Sequence, residues 1–220
     1  LISALRDDLR NFNLDLPVYW GNRNWHPTLP DTLARMASDG ISNALAFFTS
    51  AYSSYSGCRQ YMENIQDARQ QAGPDAPEVH RLRAFFNHPG FIGPNIELVR
   101  EAFDAVPPDR RSAARLVFTA HSIPLSMAAS SPYESQLRET ASLVAAGAGV
   151  GAWDLVYQSR SGPPSQPWLE PDINDHLRAL ASSGVIIATD GNTIRDARIA
   201  MGGVGTKPWR AAEAEKSLTG

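Results

Sequence analysis

Short apolar runs alternate with amphipathic stretches along most of the chain. Apolar residues recur at helical spacing in residues 1–10, 30–38, 95–105, 133–146 and 172–181, and residues 59–71 form a more polar helical stretch. Strand-like runs lie between them, at residues 17–22, 44–50, 115–120 and 153–158. Helices that alternate with apolar strands are typical of a parallel sheet covered by helices. The pattern therefore predicts an α/β fold, a Rossmann-like parallel sheet with helices on both faces.

Three local features of the sequence refine this prediction. Gly40 follows the helix predicted over residues 30–38, where a left-handed residue ends many helices. Residues 44–50 (Ala-Leu-Ala-Phe-Phe-Thr-Ser) are almost wholly apolar, which predicts a strand covered on both faces. Asp190-Gly191 lies between two apolar runs, and this predicts a β-hairpin instead of a parallel crossover. We expect a hairpin plus a short helix over residues 185–220.

Composition and charge exclude several classes of function. With 220 residues, 43% of them hydrophobic and 20% charged, the chain is typical of one large globular domain or two small ones. A net charge of −3 predicts no nucleic-acid partner, and no apolar run approaches the length of a membrane span. Because Cys58 is the single cysteine, no internal disulfide can form, which favours a reducing, cytoplasmic location. The chain begins at Leu1 in the middle of a helical pattern, so we expect its natural N-terminus to lie further upstream.

His121 is the strongest candidate for chemistry. The strand predicted over residues 115–120 delivers it into the turn at residues 122–125. Open α/β sheets bind ligands at the carboxyl ends of their strands, and a histidine accepts protons near neutral pH. The alternative is a histidine that only caps the next turn. A second strand, residues 153–158, runs into a loop at residues 159–171, where the carboxyl edge of the same sheet is expected.

The remaining strand ends carry flat polar and aromatic side chains. Residues 21–27 read Gly-Asn-Arg-Asn-Trp-His-Pro, and residues 50–61 hold three tyrosines and four serines. Such loops suit a flat, partly apolar, anionic ligand. No glycine-rich phosphate loop follows a strand, which disfavours a nucleotide, and no Gly-x-Ser-x-Gly elbow is present, which disfavours a hydrolase.

These blocks resemble ferrochelatases. Phe-Thr-Ala-His-Ser-Ile-Pro-Leu at residues 118–125 is followed by Tyr-Gln-Ser-Arg at 157–160 and Pro-Trp-Leu-Glu-Pro at 167–171, with further matches at residues 19–27 and 52–61. The resemblance spans residues 1–184 and is strongest to the actinobacterial branch, which acts on coproporphyrin III. It implies a chelatase-like fold and a lyase of heme biosynthesis that inserts Fe2+, its substrate, into a porphyrin. We expect such a chain to be a monomer.

The resemblance also implies roles for individual residues. His121 matches the proton acceptor that also contacts the metal on the inner face. Arg23 and Asn24 match a pair that lines the porphyrin cleft, Tyr61 matches a cleft tyrosine, and Ser159 and Trp168 match the pocket wall. Ordinary structural roles remain as alternatives: Trp168 in the core, Arg23 in a surface ion pair, and Tyr61 on a helix face.

Cys58 matches a cysteine that helps to hold a [2Fe–2S] cluster in the actinobacterial branch. The other ligands there come from a cysteine-rich C-terminal segment. A cluster needs four ligands, usually thiolates, and this chain has one cysteine. We therefore interpret Cys58 as a former cluster ligand or a ligand separated from its partners; a small buried thiol is the alternative.

Residues 185–220 depart from the resemblance. A ferrochelatase would continue after Gly184 into a Ser-Asp-His-x-Glu block that carries the carboxylate opposite the histidine. Here residues 202–210 read Gly-Gly-Val-Gly-Thr-Lys-Pro-Trp-Arg, which resembles the C-terminal end of xanthine dehydrogenase-type FAD-binding subunits. The chain's lysines, Lys207 and Lys216, both fall in this tail. We expect a ferrochelatase-like domain over residues 1–184, incomplete at both ends, joined to a non-family tail.

Three functional hypotheses follow. The first is an active ferrochelatase. The second is an inactive fragment or a non-catalytic porphyrin or heme binder, which keeps the cleft residues without the acidic partner. The third is a fragment of a molybdenum-hydroxylase FAD subunit.

Overall fold

The computed structural model describes residues 1–55, 59–182, 189–190, 193–194, 200–201 and 209–210. Its helices and strands, in chain order, are α1 (Ile2–Asn11), α2 (Leu29–Ser38), β1 (Asn43–Ala46), α3 (Gln60–Ala72), β2 (Glu78–Arg81), α4 (Pro89–Asp104), β3 (Leu116–His121), α5 (Leu125–Ala129), α6 (Tyr133–Ala148), β4 (Trp153–Gln158), α7 (Ile173–Ser182), β5 (Thr189–Asp190), β6 (Thr193–Ile194), β7 (Ala200–Met201) and β8 (Trp209–Arg210). None of the described helices is long and apolar enough to span a bilayer.

The chain divides into two compact units. Residues 1–50 and 55–84 form unit 1, and residues 51–54 and 85–220 form unit 2. Each unit contains one pair of parallel strands, β1 with β2 and β3 with β4. The predicted α/β class and parallel pairing are confirmed, but the parallel strands belong to two separate pairs.

In unit 1, α2 and α3 pack against each other. The side chain of Thr28 caps α2 by accepting a hydrogen bond from the Asp31 amide, at 3.3 Å. Gly40 ends the helix region with a φ of +78°, as the sequence predicted. The buried residues of these helices include Leu33, Ile65 and Ala68, and they form the core of this unit.

Two strand predictions in unit 1 were wrong. Residues 17–22 form no ladder with another described strand. Arg6 donates to the carbonyl of Val18 and Thr32 to that of Trp20, and Asn22 forms only an isolated bridge with Thr28. The strand predicted over residues 44–50 ends at Ala46. Its burial alternates, and Leu45 is 67% exposed, so it is covered on one face only.

Unit 2 is built around β3 and β4. They pair in register from Leu116 with Trp153 to His121 with Gln158. β4 has the predicted bounds, and β3 lies one residue later than predicted, so that His121 is its last residue. One face of this pair joins a cluster of buried residues, Ala120, Ile123, Tyr133, Leu137, Leu155, Tyr157 and Leu169. Helix α6 supplies two of them and packs on its other side against α4.

Helix α4 starts earlier than predicted, at Pro89 and not at residue 95. Proline and glycine are poor helix formers, but proline is tolerated in a first turn, where its missing N–H would have no helical partner. His88 caps this end by accepting a hydrogen bond from the Gly90 amide, at 3.1 Å. The short strand β2 and the short helix α5 were not predicted.

In the tail, β5 pairs antiparallel with β6, and β7 with β8. Thr189 pairs with Ile194 and Asp190 with Thr193, which is the pairing that a hairpin at Asp190-Gly191 predicts. Gly184, where the sequence predicts the end of the family-like domain, lies outside the described residues.

Candidate functional site

His121 is the last residue of β3 and pairs with Gln158, the last residue of β4. Its side chain is exposed at the carboxyl edge of the strand pair. The imidazole can therefore be reached by an external ligand.

Three hydrogen bonds hold the chain at His121 and Ser122. The Tyr133 hydroxyl donates to the His121 carbonyl, at 3.0 Å. The amide of Ser122 donates to the carbonyl of Gln158, at 2.8 Å, and its hydroxyl donates to the carbonyl of Leu169, at 2.9 Å. Since Ser122 is only 2% exposed, these bonds are shielded from water. They fix the direction in which the imidazole leaves the strand.

Further backbone hydrogen bonds join the His121 turn to the loop that follows β4. Leu125 donates its amide to the carbonyl of Pro167, and Leu169 donates its amide to the carbonyl of Ile123, both at 3.0 Å. Pro124 and Trp168 form an antiparallel bridge between the two segments. Two loops that are about forty residues apart in sequence are thus one rigid structure at the strand ends.

Ser159 and Trp168 lie in this joined structure with His121. Ser159 follows Gln158 with a φ of +59°, a left-handed conformation that costs a non-glycine residue about 1–2 kcal/mol. It turns the chain sharply at the end of β4 and leaves its hydroxyl exposed. Trp168 is 9% exposed, and its indole Nε1 is buried without a hydrogen-bond partner among the described residues.

Two buried tyrosines lie beneath the His121 turn. Burial raises the pKa of Tyr133 to about 12 and, with a smaller contribution from Glu134, that of Tyr157 to about 12. Both phenols therefore stay neutral over the physiological range. Over that range the Tyr133 hydroxyl keeps its proton and can donate it to the His121 carbonyl.

A cleft of about 430 Å³ opens beside this site, lined by Ser122, Tyr157, Arg160, Leu169, Glu170, Pro171, Asp172 and Asp175. His121, Ser159 and Trp168 are not among its lining residues. The Arg160 guanidinium donates to the carbonyls of Pro164 and Gln166, so it stiffens the loop from within.

Unit 1 contains the other predicted porphyrin contacts, Arg23, Asn24 and Tyr61. The loop that carries Arg23 is closed by a hydrogen bond from the Asn22 amide to the Pro27 carbonyl, at 2.8 Å. The Arg23 guanidinium carbon lies 5.8 Å from the centre of the Tyr61 ring, within range of a cation–π contact. Asn24 is exposed in the same loop. Arg23 and Tyr61 are thus brought together, although they are almost forty residues apart.

Phe48 and Arg81, which were not predicted as site residues, extend the Arg23–Tyr61 contact. The ring centres of Phe48 and Tyr61 are 5.4 Å apart, and the Arg81 guanidinium carbon lies 5.6 Å from the centre of the Phe48 ring. Phe48 was assigned to a strand interior, and β2, which ends in Arg81, was not predicted. Arg81 could have been found only as the last residue of a predicted β2.

Cys58 lies outside the described residues. The donor set of the chain does not fit a [2Fe–2S] cluster, because a single cysteine cannot provide the thiolates that such a cluster needs. Within the described ranges, no group of three or more His, Cys, Asp or Glu side chains is arranged to hold a metal ion.

Comparison with known proteins adds independent information. The sequence model of the ferrochelatase family matches residues 1–189. The model of the CO dehydrogenase flavoprotein C-terminal domain matches residues 174–220, in agreement with the resemblance of the tail.

Curated relatives match the same region. The chain is 51% identical over 193 residues to the coproporphyrin III ferrochelatase of Nocardia farcinica, covering 84% of this chain and 55% of that protein. It is 54% identical over 180 residues to the ferrochelatase of Rhodopirellula baltica, covering 82% and 51%. It is 50% identical over 188 residues to the coproporphyrin III ferrochelatase of Mycolicibacterium vanbaalenii, covering 84% and 56%. The chain thus spans about half the length of the curated relatives it matches.

Proposed function

Because the chain belongs to the ferrochelatase family, we propose that it inserts Fe2+ into a porphyrin, with coproporphyrin III as the substrate, as part of heme biosynthesis. The observation that carries the proposal is His121 itself. An exposed imidazole stands at a strand end, and hydrogen bonds hold its backbone from two directions.

The chemistry requires a proton acceptor. Insertion of Fe2+ releases two pyrrole protons from the porphyrin, so a base must stand at the face from which they leave. A neutral imidazole can accept such a proton or contact the metal ion through its free nitrogen, and a protonated imidazole can do neither. The hydrogen bonds to the His121 carbonyl and from the Ser122 amide keep this base in one position while the reaction proceeds.

The remaining predicted residues are assigned to porphyrin binding. Arg23 suits a propionate, because a guanidinium pairs with a carboxylate through two parallel hydrogen bonds. Tyr61 and Trp168 offer flat rings to a flat macrocycle, and Asn24 and Ser159 offer polar side chains. We also propose that the protein acts as a monomer in the cytoplasm and has no nucleic-acid partner.

A second function is favoured by one observation. Across the described residues, His121 is not joined by other His, Cys, Asp or Glu side chains in a group that could hold a metal. A chain that keeps the porphyrin contacts without such a group would act as a non-catalytic porphyrin or heme binder. The flavoprotein-like match covers only residues 174–220 and supports no flavin chemistry.

Anaerobic iron insertion into coproporphyrin III separates these functions. We expect turnover by the unmodified chain and a loss of at least about 100-fold in His121→Ala, the usual contribution of a general base. His80→Ala removes an exposed histidine of β2 and should leave the rate unchanged.

A Soret titration completes the experiment. Porphyrin binding with no turnover above background would reject the ferrochelatase activity of this chain and support the binder. No binding by the unmodified chain would reject both functions.

A further inference from the structure

Four side chains of unit 1 form a continuous row, in the order Arg23, Tyr61, Phe48, Arg81. Each contact along the row is between 5.4 and 5.8 Å, measured from guanidinium carbon to ring centre or from ring centre to ring centre. Two aromatic rings are thus flanked by a cation at each end.

The row lies at the carboxyl edge of the parallel pair β1–β2. Ala46 pairs with Arg81 in the β1–β2 register, and Phe48 follows Ala46 by two residues. Tyr61 lies in the first turn of α3, and Arg23 lies in the loop before α2. The carboxyl edge of parallel strands is where α/β proteins bind ligands.

Neither cation of the row has an anionic partner among the described residues. No ion pair or hydrogen bond of the Arg23 or Arg81 guanidinium is found there, and Arg81 Nε is buried without an acceptor. Arg35 provides the contrast, because it lies over the Tyr19 ring at 6.0 Å but also lies 3.9 Å from the Asp39 carboxylate. A buried guanidinium N–H without an acceptor is unfavourable unless a ligand supplies one.

We propose that Arg81 is a further substrate-binding residue, which pairs with one carboxylate of the porphyrin while Arg23 pairs with another. The Phe48 and Tyr61 rings hold the two guanidinium groups in place. The inference rests on the proposed function, since it takes the porphyrin propionates as the anions. It makes Arg81 a determinant of selectivity for porphyrins that carry carboxylates.

The test compares porphyrins with and without free carboxylates. Coproporphyrin III and its tetramethyl ester are each titrated into the full chain, into Arg81→Met, which keeps the apolar stem, and into Arg35→Met as the matched control. We expect Arg81→Met to raise the Kd for coproporphyrin III by about tenfold or more, the effect of losing one charged hydrogen-bonded pair. Binding of the ester should be the same in all three proteins, and Arg35→Met should bind both ligands like the unmodified chain.

The other possible outcomes distinguish the role of Arg81 from the proposed function. Equal Kd values for coproporphyrin III in the unmodified chain and Arg81→Met would overturn the role of Arg81 and leave the proposed function standing. Absence of binding by the unmodified chain would overturn both. If Arg81→Met fails to fold, Arg81→Lys decides: weaker binding of coproporphyrin III alone supports the proposal, and unchanged binding contradicts it.

Discussion

Tyr133 and Tyr157 are both buried and neutral, but only one of them has a hydrogen-bond partner. The Tyr133 hydroxyl donates to the His121 carbonyl at 3.0 Å. The Tyr157 hydroxyl is buried without a partner among the described residues. Since a buried polar group gains stability only when it is hydrogen-bonded, the two hydroxyls should contribute with opposite sign to the free energy of folding.

The pair Tyr133→Phe and Tyr157→Phe tests this difference with the same chemical change. We expect Tyr133→Phe to lower the free energy of unfolding by about 1–3 kcal/mol, because it leaves the His121 carbonyl without its donor. Tyr157→Phe should be neutral or stabilising. Urea unfolding of both variants measures the effect. Under the proposed function, Tyr133→Phe should also slow iron insertion, since the backbone of the proposed base His121 loses a support. Equal stability of the two variants would contradict the assigned role of Tyr133.

At this scale the sequence predicted the residues that end strands or belong to a recognisable block. His121 was found because an apolar run delivers it into a turn. Ser122 and Tyr133 were not assigned a role, because their bonds reach backbone carbonyls and one of these is 47 residues away. Such bonds cannot be predicted from the types and spacing of side chains. Arg81 was missed for a related reason: β2 mixes charged and apolar residues, so its end was not identified as a strand end.

Among the elements, α4 and α6 pack against each other. A Cβ atom placed on Gly147 of α6 would lie 2.8 Å from Cγ1 of Ile96 and would also overlap its Cδ1. Gly93 of α4 has open space around it, with nothing within 4 Å of such an atom. Gly147 therefore permits the close approach of the two helices, and Gly93 has no comparable constraint.

Replacing each of these glycines with alanine separates the effect of packing on stability from the effect of helix propensity. We expect Gly93→Ala to stabilise the protein by about 0.5–1 kcal/mol through helix propensity alone. Gly147→Ala gains the same propensity but overfills the interface, so a net loss of about 1–2 kcal/mol is expected. Thermal unfolding of both variants checks the signs, and Ile96→Ala combined with Gly147→Ala should recover part of the loss. A stabilising Gly147→Ala would show that the helices separate at little cost.

Elements with a strong, self-contained pattern were predicted well. The bounds of β4 agree, and Leu137, Ala141 and Val144 of α6 are buried on the predicted stripe. The failures at residues 17–22 and 44–50 have another origin. Strands are stabilised by their neighbours, so a local apolar run does not reveal whether a partner strand or a covering layer is present.

At the scale of the whole molecule, the regions that match two different sequence families overlap at α7. The ferrochelatase match ends at residue 189, and the flavoprotein-like match begins at residue 174, so α7 falls in both. We propose that the family-like domain ends at about residue 184 and that residues 185–220 form a separate tail. The packing of α7 against β4 places this helix with the first part.

Truncation on either side of α7 tests this division. His176 of α7 lies 3.6 Å from the Asp154 carboxylate of β4, and the Tyr157 amide donates to the Pro171 carbonyl just before the helix, at 2.9 Å. A chain that ends at residue 182 keeps these contacts, and we expect it to unfold at the same temperature and to bind coproporphyrin III with the same Kd as the full chain. A chain that ends at residue 171 uncovers one side of β4 and should lose cooperative unfolding, because β4 carries the buried residues Leu155, Val156 and Tyr157. Calorimetry and a Soret titration of the three chains give the comparison, and a marked loss of stability in the chain that ends at residue 182 would show that the tail is part of the same folding unit.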